Sequence, residues 1–153
     1  MLETLQTNQL IKCDIKTVWD FMSSPANLAA ITPDYMGFEI LNDLHGDKMY
    51  PGQIIEYYVK PVLGIKLHWV TEITHVKDYE FFVDEQRYGP YAFWHHKHFL
   101  KEVNQGVEMI DLVHYRAPFG PIGKLANAIF IKRQLKEVFD YRYKKIDELF
   151  NTN

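Results

Sequence analysis

His96 and His98 lie two residues apart in the run Trp94-His95-His96-Lys97-His98-Phe99, downstream of Asp84 and upstream of Asp111. On a β-strand, alternate side chains share a face, so His96 and His98 point the same way with Trp94. Asp84 and Gln86 share a face of the preceding strand in the same manner. Two imidazoles plus the carboxylate of Asp84 or Asp111 form the donor set of a two-His, one-carboxylate metal site. The same groups can make a His-Asp pair for general acid-base chemistry. However, any strand produces the i, i+2 spacing by alternation alone. The favoured reading is therefore a polar lining in which each His is held by a carboxylate or a backbone carbonyl, with no metal and no cofactor. His95 must face the other way, and His114 belongs to a neighbouring strand. There is no Gly-x-Ser-x-Gly, and the lone Cys13 closes the first strand, so neither supplies a recognisable nucleophile.

Apolar bulk surrounds these polar groups. Trp69, Phe82, Tyr91, Trp94 and Tyr115, with Tyr57, are candidate walls of a small-molecule pocket, and Gln86, His96 and His98 are candidates for orienting its occupant. Trp19 is instead expected to anchor the first helix to the sheet. Arg87 and Arg116 are candidate partners for a ligand carboxylate, because a guanidinium can bind one bidentately. Both sit near strand ends, where exposure to solvent is the ordinary outcome.

The elements that must position these residues follow from periodicity and turn chemistry. Residues 2–12 read as a strand. Asp14 is a helix N-cap, followed at helical spacing by Ile15, Val18, Trp19 and Met22. Ser24-Pro25 starts a second short helix, with Ser as cap and Pro at the first position. It must stop before Thr32-Pro33. Strands are expected near 37–42, 53–60, 65–77, 80–87, 91–103 and 107–117. They are separated by His45-Gly46-Asp47, Pro51-Gly52, Leu63-Gly64, Lys77-Asp78, Gly89-Pro90 and Asn104-Gln105-Gly106. Such short connections imply an antiparallel meander. After Pro118-Phe119-Gly120-Pro121-Ile122-Gly123, itself a possible hinge or entrance, a helix is expected from Pro121 to about Phe150. Its apolar stripe is Ile122, Leu125, Ile129, Leu135, Val138, Phe139, Ile146 and Leu149, and its length is roughly 42 Å at 1.5 Å per residue. The architecture is α+β: a curved seven-stranded antiparallel sheet around a long C-terminal helix, with two short helices after the first strand.

Bulk properties narrow the function classes. The 153 residues suit one domain, 1–153, and 47% hydrophobic against 24% charged residues is ordinary for a globular protein. Aromatics reach 15%, enough to line a cavity or to fill a curved sheet. A net charge of −3 speaks against nucleic acid as a partner. Lys132, Arg133, Lys136, Arg142, Lys144 and Lys145 make the last helix locally basic. Glu137, Asp140, Asp147 and Glu148 interrupt that run, which reads as a solvated face. One cysteine allows no internal disulfide. No secretory leader and no apolar run of membrane-spanning length are seen. A cytoplasmic protein without stable membrane insertion is expected.

This element order resembles the helix-grip fold of the START-like superfamily, also called Bet v 1-like or SRPBCC. Several motifs are similar to one bacterial SRPBCC subgroup. They are Ser24-Pro25-Ala26-Asn27-Leu28 with Ile31-Thr32-Pro33; Asp84-x-Gln86 with Gly89-Pro90-Tyr91; and Trp94-x-His96-x-His98-x-Leu100. Asp111, Tyr115, Pro118-Phe119-Gly120-Pro121 and Gly123 complete the set. The superfamily includes lipid-transfer domains, plant allergens and polyketide cyclase-like proteins. The resemblance implies a cavity between the concave sheet face and the long helix, suited to a small apolar or amphipathic ligand. No catalytic set of the superfamily maps onto the chain residue by residue, and fold alone does not give function. Three readings follow: a binding protein; a cofactor-free cyclase, dehydratase or hydrolase using His96 or His98 with Asp84 or Asp111; and an interaction module with a vestigial cavity.

Overall fold

The computed structural model describes residues 2–44, 48–60, 64–120, 122, 125 and 127–151. The expected turn at His45-Gly46-Asp47, the Leu63 half of the Leu63-Gly64 turn, the helix start at Pro121 and Gly123 lie outside the described residues. Strand β1 (Glu3–Ile11) leads into helix α1 (Ile15–Met22). Asp14 caps that helix as expected: its carboxylate accepts from the Thr17 amide at 2.9 Å and from the Thr17 hydroxyl at 2.7 Å. Val18, Trp19 and Met22 form its buried face, and Trp19 packs edge-on against Phe82 of the sheet, centroids 6.3 Å apart.

Pro25–Ile31 follows as a 3-10 helix rather than an α-helix. Pro25 takes the first position, but Ser24 makes no side-chain capping bond. The segment stops at Ile31, before Thr32-Pro33, as the constraint on a residue preceding proline requires. A further 3-10 turn, Asp34–Met36, has no counterpart in the expected elements.

The strands β2 (Glu39–Ile40), β3 (Gln53–Val59), β4 (Leu67–Lys77), β5 (Phe81–Tyr88), β6 (Phe93–Val103) and β7 (Gly106–Arg116) complete a seven-stranded antiparallel sheet ordered β1-β7-β6-β5-β4-β3-β2. β2 is much shorter than expected because Asn42 takes over the ladder. Its side chain donates to the Ile54 carbonyl at 2.9 Å and accepts from the Glu56 amide at 2.8 Å. The β4–β5 register shifts between Val70 and Thr71 and between Ile73 and His75, irregularities of the kind that increase local twist.

The final helix, α2, runs Lys132–Phe150 and is preceded by a π-helical stretch, Asn127–Ile131. These nineteen residues give roughly 28 Å, and Ile122 and Leu125 upstream are also helical. Leu135, Phe139, Arg142 and Ile146 form its buried stripe. Each buried apolar member contributes roughly 1.5–3 kcal/mol. Ile122, Leu125 and Ile129 are exposed, contrary to their place in the expected stripe, and so is Leu149. The six-residue step from Ile129 to Leu135 does not fit the three-four helical spacing, so the two apolar groups cannot share one face. Polar clamps tie α2 to β1. Gln9 donates to the Tyr143 carbonyl at 2.9 Å, and Asn151 accepts from the Lys12 amide at 2.7 Å and donates to the Leu10 carbonyl at 3.0 Å. This is the helix-grip arrangement, with α2 across the concave face. Among the described residues, no helix is long and apolar enough to cross a membrane.

Candidate functional site

Register brings the candidate polar residues into one cluster. Asp84 on β5 lies opposite His96 on β6, and His98 lies opposite Asp111 on β7. Residues facing each other across antiparallel strands share a face, so all four point into the concavity. The hydrogen bonds run along the diagonals. His96 Nε2 donates to Asp111 Oδ1 at 2.8 Å, and His98 Nε2 donates to Asp84 Oδ2 at 2.9 Å. The direct pairs are also close: His96 Nδ1 stands 3.3 Å from Asp84 Oδ2, and His98 Nδ1 stands 2.9 Å from Asp111 Oδ1 but out of line for a hydrogen bond. Trp94 Nε1 donates to Asp84 Oδ1 at 3.2 Å. The His96 and His98 rings sit 3.7 Å apart, and His98 stacks on Phe82 at 4.0 Å.

This packing sets the protonation states. Burial alone would raise the Asp84 and Asp111 carboxyls. The charge of the imidazoles and their hydrogen bonds outweigh it, so both stay well below the usual carboxylate range. Burial likewise disfavours charge on His96, but the Asp84 charge and the hydrogen bond to Asp111 overcome it and raise its pKa. The cluster is thus an ionic network inside the fold, with Asp111 only 1% and His96 only 3% exposed.

Above it lies a cavity of about 140 Å³ between the sheet and α2. Trp69, Trp94, Tyr91, Phe82 and Phe139 form much of its wall, and Asp84, His96, His98 and Arg142 form a polar patch on it. Tyr57 and Thr71 pair through their hydroxyls at 3.1 Å, and burial raises the Tyr57 phenol above its ordinary range. As for a metal, Asp84, His96 and His98 offer donor atoms within 4.8 Å of one another. Holding an ion would require the imidazoles to give up the carboxylate contacts just described.

No protein-family model matches the chain, and no curated protein matches it in sequence. Solved structures do match over nearly the full length. CV1439 from Chromobacterium violaceum aligns with TM-score 0.72 and 13% identity over 98% of each chain. Ms6760 from Mycobacterium smegmatis aligns with TM-score 0.68 and 16% identity over 95% of this chain and 89% of that one. Ara h 8.0201, a Bet v 1 homologue, aligns with TM-score 0.62 and 11% identity over 95% and 98%. The fold is Bet v 1-like.

Within this Bet v 1-like frame, Trp69, Phe82, Tyr91, Trp94, His96 and His98 come together on the cavity wall. Two sequence candidates are set back from it. Gln86 clamps the β5–β6 turn: its side chain donates to the Tyr91 carbonyl at 2.7 Å and accepts from the Tyr91 amide at 3.1 Å. A Cβ on Gly89 would come within 2.6 Å of the Gln86 side-chain oxygen, so this close packing depends on glycine. Tyr115 is buried behind the wall, edge-on to Tyr91 at 5.9 Å. Arg87 bonds Glu72 and Glu85 on the outer face, and Arg116 is exposed at the end of β7.

Arg142 overturns the expectation that the basic run of the last helix is solvated throughout. It is 8% exposed and lies 3.5 Å from Asp111 Oδ1 through Nη1, with its guanidinium 5.0 Å from the Phe139 ring centre. The signal was present in the spacing of Leu135, Phe139, Arg142 and Ile146, which places an arginine in an apolar stripe. Lys136 and Arg133, off that stripe, pair with Asp140 and Glu137 in solvent.

Proposed function

We propose that the chain binds a small apolar or amphipathic molecule in the cavity between the sheet and α2. The observation that carries this reading is an aromatic-walled void with Asp84, His96, His98 and Arg142 together on its wall, as expected of a pocket that buries a ligand body and orients one end. The volume is comparable with the ~150 Å³ engineered apolar cavity that takes up benzene. A ligand of about one ring, or a short chain, fits without rearrangement. Affinity resting mainly on apolar burial at that size belongs in the micromolar to millimolar range.

The reading adopted is a cytoplasmic member of a bacterial SRPBCC subgroup related to polyketide cyclase and lipid-transport proteins. Its partner is a small molecule rather than nucleic acid, and it does not insert stably into membranes. The acid-base enzyme reading has less support. A catalytic imidazole needs a ring nitrogen free to meet its substrate. Both Nε2 atoms of His96 and His98 are hydrogen-bonded to carboxylates, and both Nδ1 atoms are crowded within 3.3 Å of one, His98 Nδ1 without a hydrogen bond.

Native mass spectrometry of the protein isolated from its source, followed by extraction, tests the proposal. A bound small molecule, displaced when Trp94→Ala or Phe139→Ala reshapes the wall, is the expected result. An empty protein that also takes up no member of a library of single-ring compounds overturns it.

A further inference from the structure

Arg142 is a charged side chain on the cavity wall whose hydrogen-bonding capacity is largely unspent. Its Nε and Nη1 are buried without a hydrogen-bond partner among the described residues. Leaving such a donor unpaired costs about 1–3 kcal/mol, and more when the group is charged. A second wall residue is in the same position: Trp69 Nε1 is buried and unpartnered. Both are donors. The Asp84, Asp111 and Tyr57 oxygens already have partners. Asp84 accepts from Trp94 and His98, Asp111 accepts from His96, and the Tyr57 hydroxyl pairs with Thr71.

Arg142 and Trp69 thus offer spare hydrogen-bond donors to a cavity wall on which His98 Nδ1 is also unpaired and which Ser24, Asn27, Thr32 and Gln134 help to line. A neutral alcohol or amide can accept from these donors but cannot match the charge of the guanidinium. A carboxylate brings only acceptors and pairs with a guanidinium through charge-assisted bonds. The charges facing that position are Asp84 and Asp111 on the sheet, each in contact with both imidazoles, and Arg142 on α2. The Arg142 guanidinium makes one loose contact with Asp111, at 3.5 Å, and remains available.

We infer that the ligand is a small monocarboxylic acid, its carboxylate received by Arg142 and its ring or short chain enclosed by Trp69, Trp94, Phe82 and Phe139. The inference rests on the cavity-binding reading above and narrows its ligand class.

Three acid-alcohol pairs test it: benzoate with benzyl alcohol, phenylacetate with 2-phenylethanol, and hexanoate with hexanol. Dissociation constants come from NMR titrations of the full chain at neutral pH. At least one acid is expected to bind about tenfold or more tightly than its alcohol, the size of one charge-assisted hydrogen bond. Arg142→Met should remove that preference, and Arg142→Lys should keep part of it. Should Arg142→Met fail to fold, a reduced preference in the folded Arg142→Lys protein is the supporting result and an undiminished one overturns the inference. Alcohols binding as tightly as acids, or a preference that survives both substitutions, overturns the carboxylate inference and leaves the cavity reading standing. Failure of all six compounds to bind overturns both.

Discussion

The two faces of strands β5 and β6 carry the same kinds of side chain to different effect. On the outer face, His95 meets Glu85 at 3.0 Å, Glu85 also meets Arg87 at 3.1 Å, and all three keep part of their surface in water. On the inner face, one residue further along β6, His96 meets Asp111 and Asp84 in a nearly dry environment. Exposed pairs of the first kind contribute about 0–1 kcal/mol, because water competes for both charges. In the inner cluster each charge depends on its neighbours, since removing one partner strands the others in a low dielectric. The lesson is that residue type sets which chemistry is possible, while facing sets what it is worth.

The sharpest way to break this comparison is Asp111→Ala. It strips His96 of its acceptor and Arg142 of its nearest anion, and should cost about 3–5 kcal/mol in urea unfolding. An effect no larger than that of an outer-face carboxylate would remove the distinction between the faces. Gln86→Ala should come next, at about 1–3 kcal/mol, because two hydrogen bonds to the Tyr91 backbone are lost. It should also perturb the Tyr91 and Trp94 resonances in NMR; unchanged resonances would mean that the clamp does not hold the cavity wall.

The pH dependence of stability sharpens the contrast further. Asp84 and Asp111 have folded-state values below the ordinary 3.8, so their contribution is present above that pH and is lost as pH falls through the depressed values. His96 has a raised folded-state value, so its contribution is complete below the ordinary 6.5 and is lost as pH rises through the raised value. Thermal midpoints of the natural protein should therefore decline on the alkaline side of pH 6.5, and His96→Gln should flatten that decline. An identical slope in the variant would show that His96 keeps the same protonation in both states. The smallest effect is expected from Glu85→Gln, within about 1 kcal/mol despite its contacts with Arg87 and His95. A larger loss would mean that the outer face is not the solvated surface it resembles.

Much of the scaffold was legible before any coordinates. The Asp14 cap, the stop before Thr32-Pro33, the strand order and the shared face of Trp94, His96 and His98 all follow from local chemistry and alternation. The shortening of β2 was not legible, because it depends on Asn42 reaching across to Ile54 and Glu56. The exposure of Ile122, Leu125 and Ile129 was partly legible in their break of phase with Leu135, which a count of apolar residues overlooks. The burial of Arg142 is masked in the sequence by five other basic residues on the same helix that read as surface.

By itself the sequence determined that His96 and His98 act together and that His95 does not join them, since strand periodicity leaves no other choice. It also determined an apolar stripe on the last helix that contains an arginine. Only the tertiary structure decided that these features meet. Cross-strand register placed Asp84 and Asp111 diagonally across from the two imidazoles, and a slip of one residue would have turned them outward. The docking of α2 against the sheet then brought Arg142 from a strand-distant segment to 3.5 Å from Asp111. Local periodicity fixes which side chains share a face, but long-range packing decides what that face encloses.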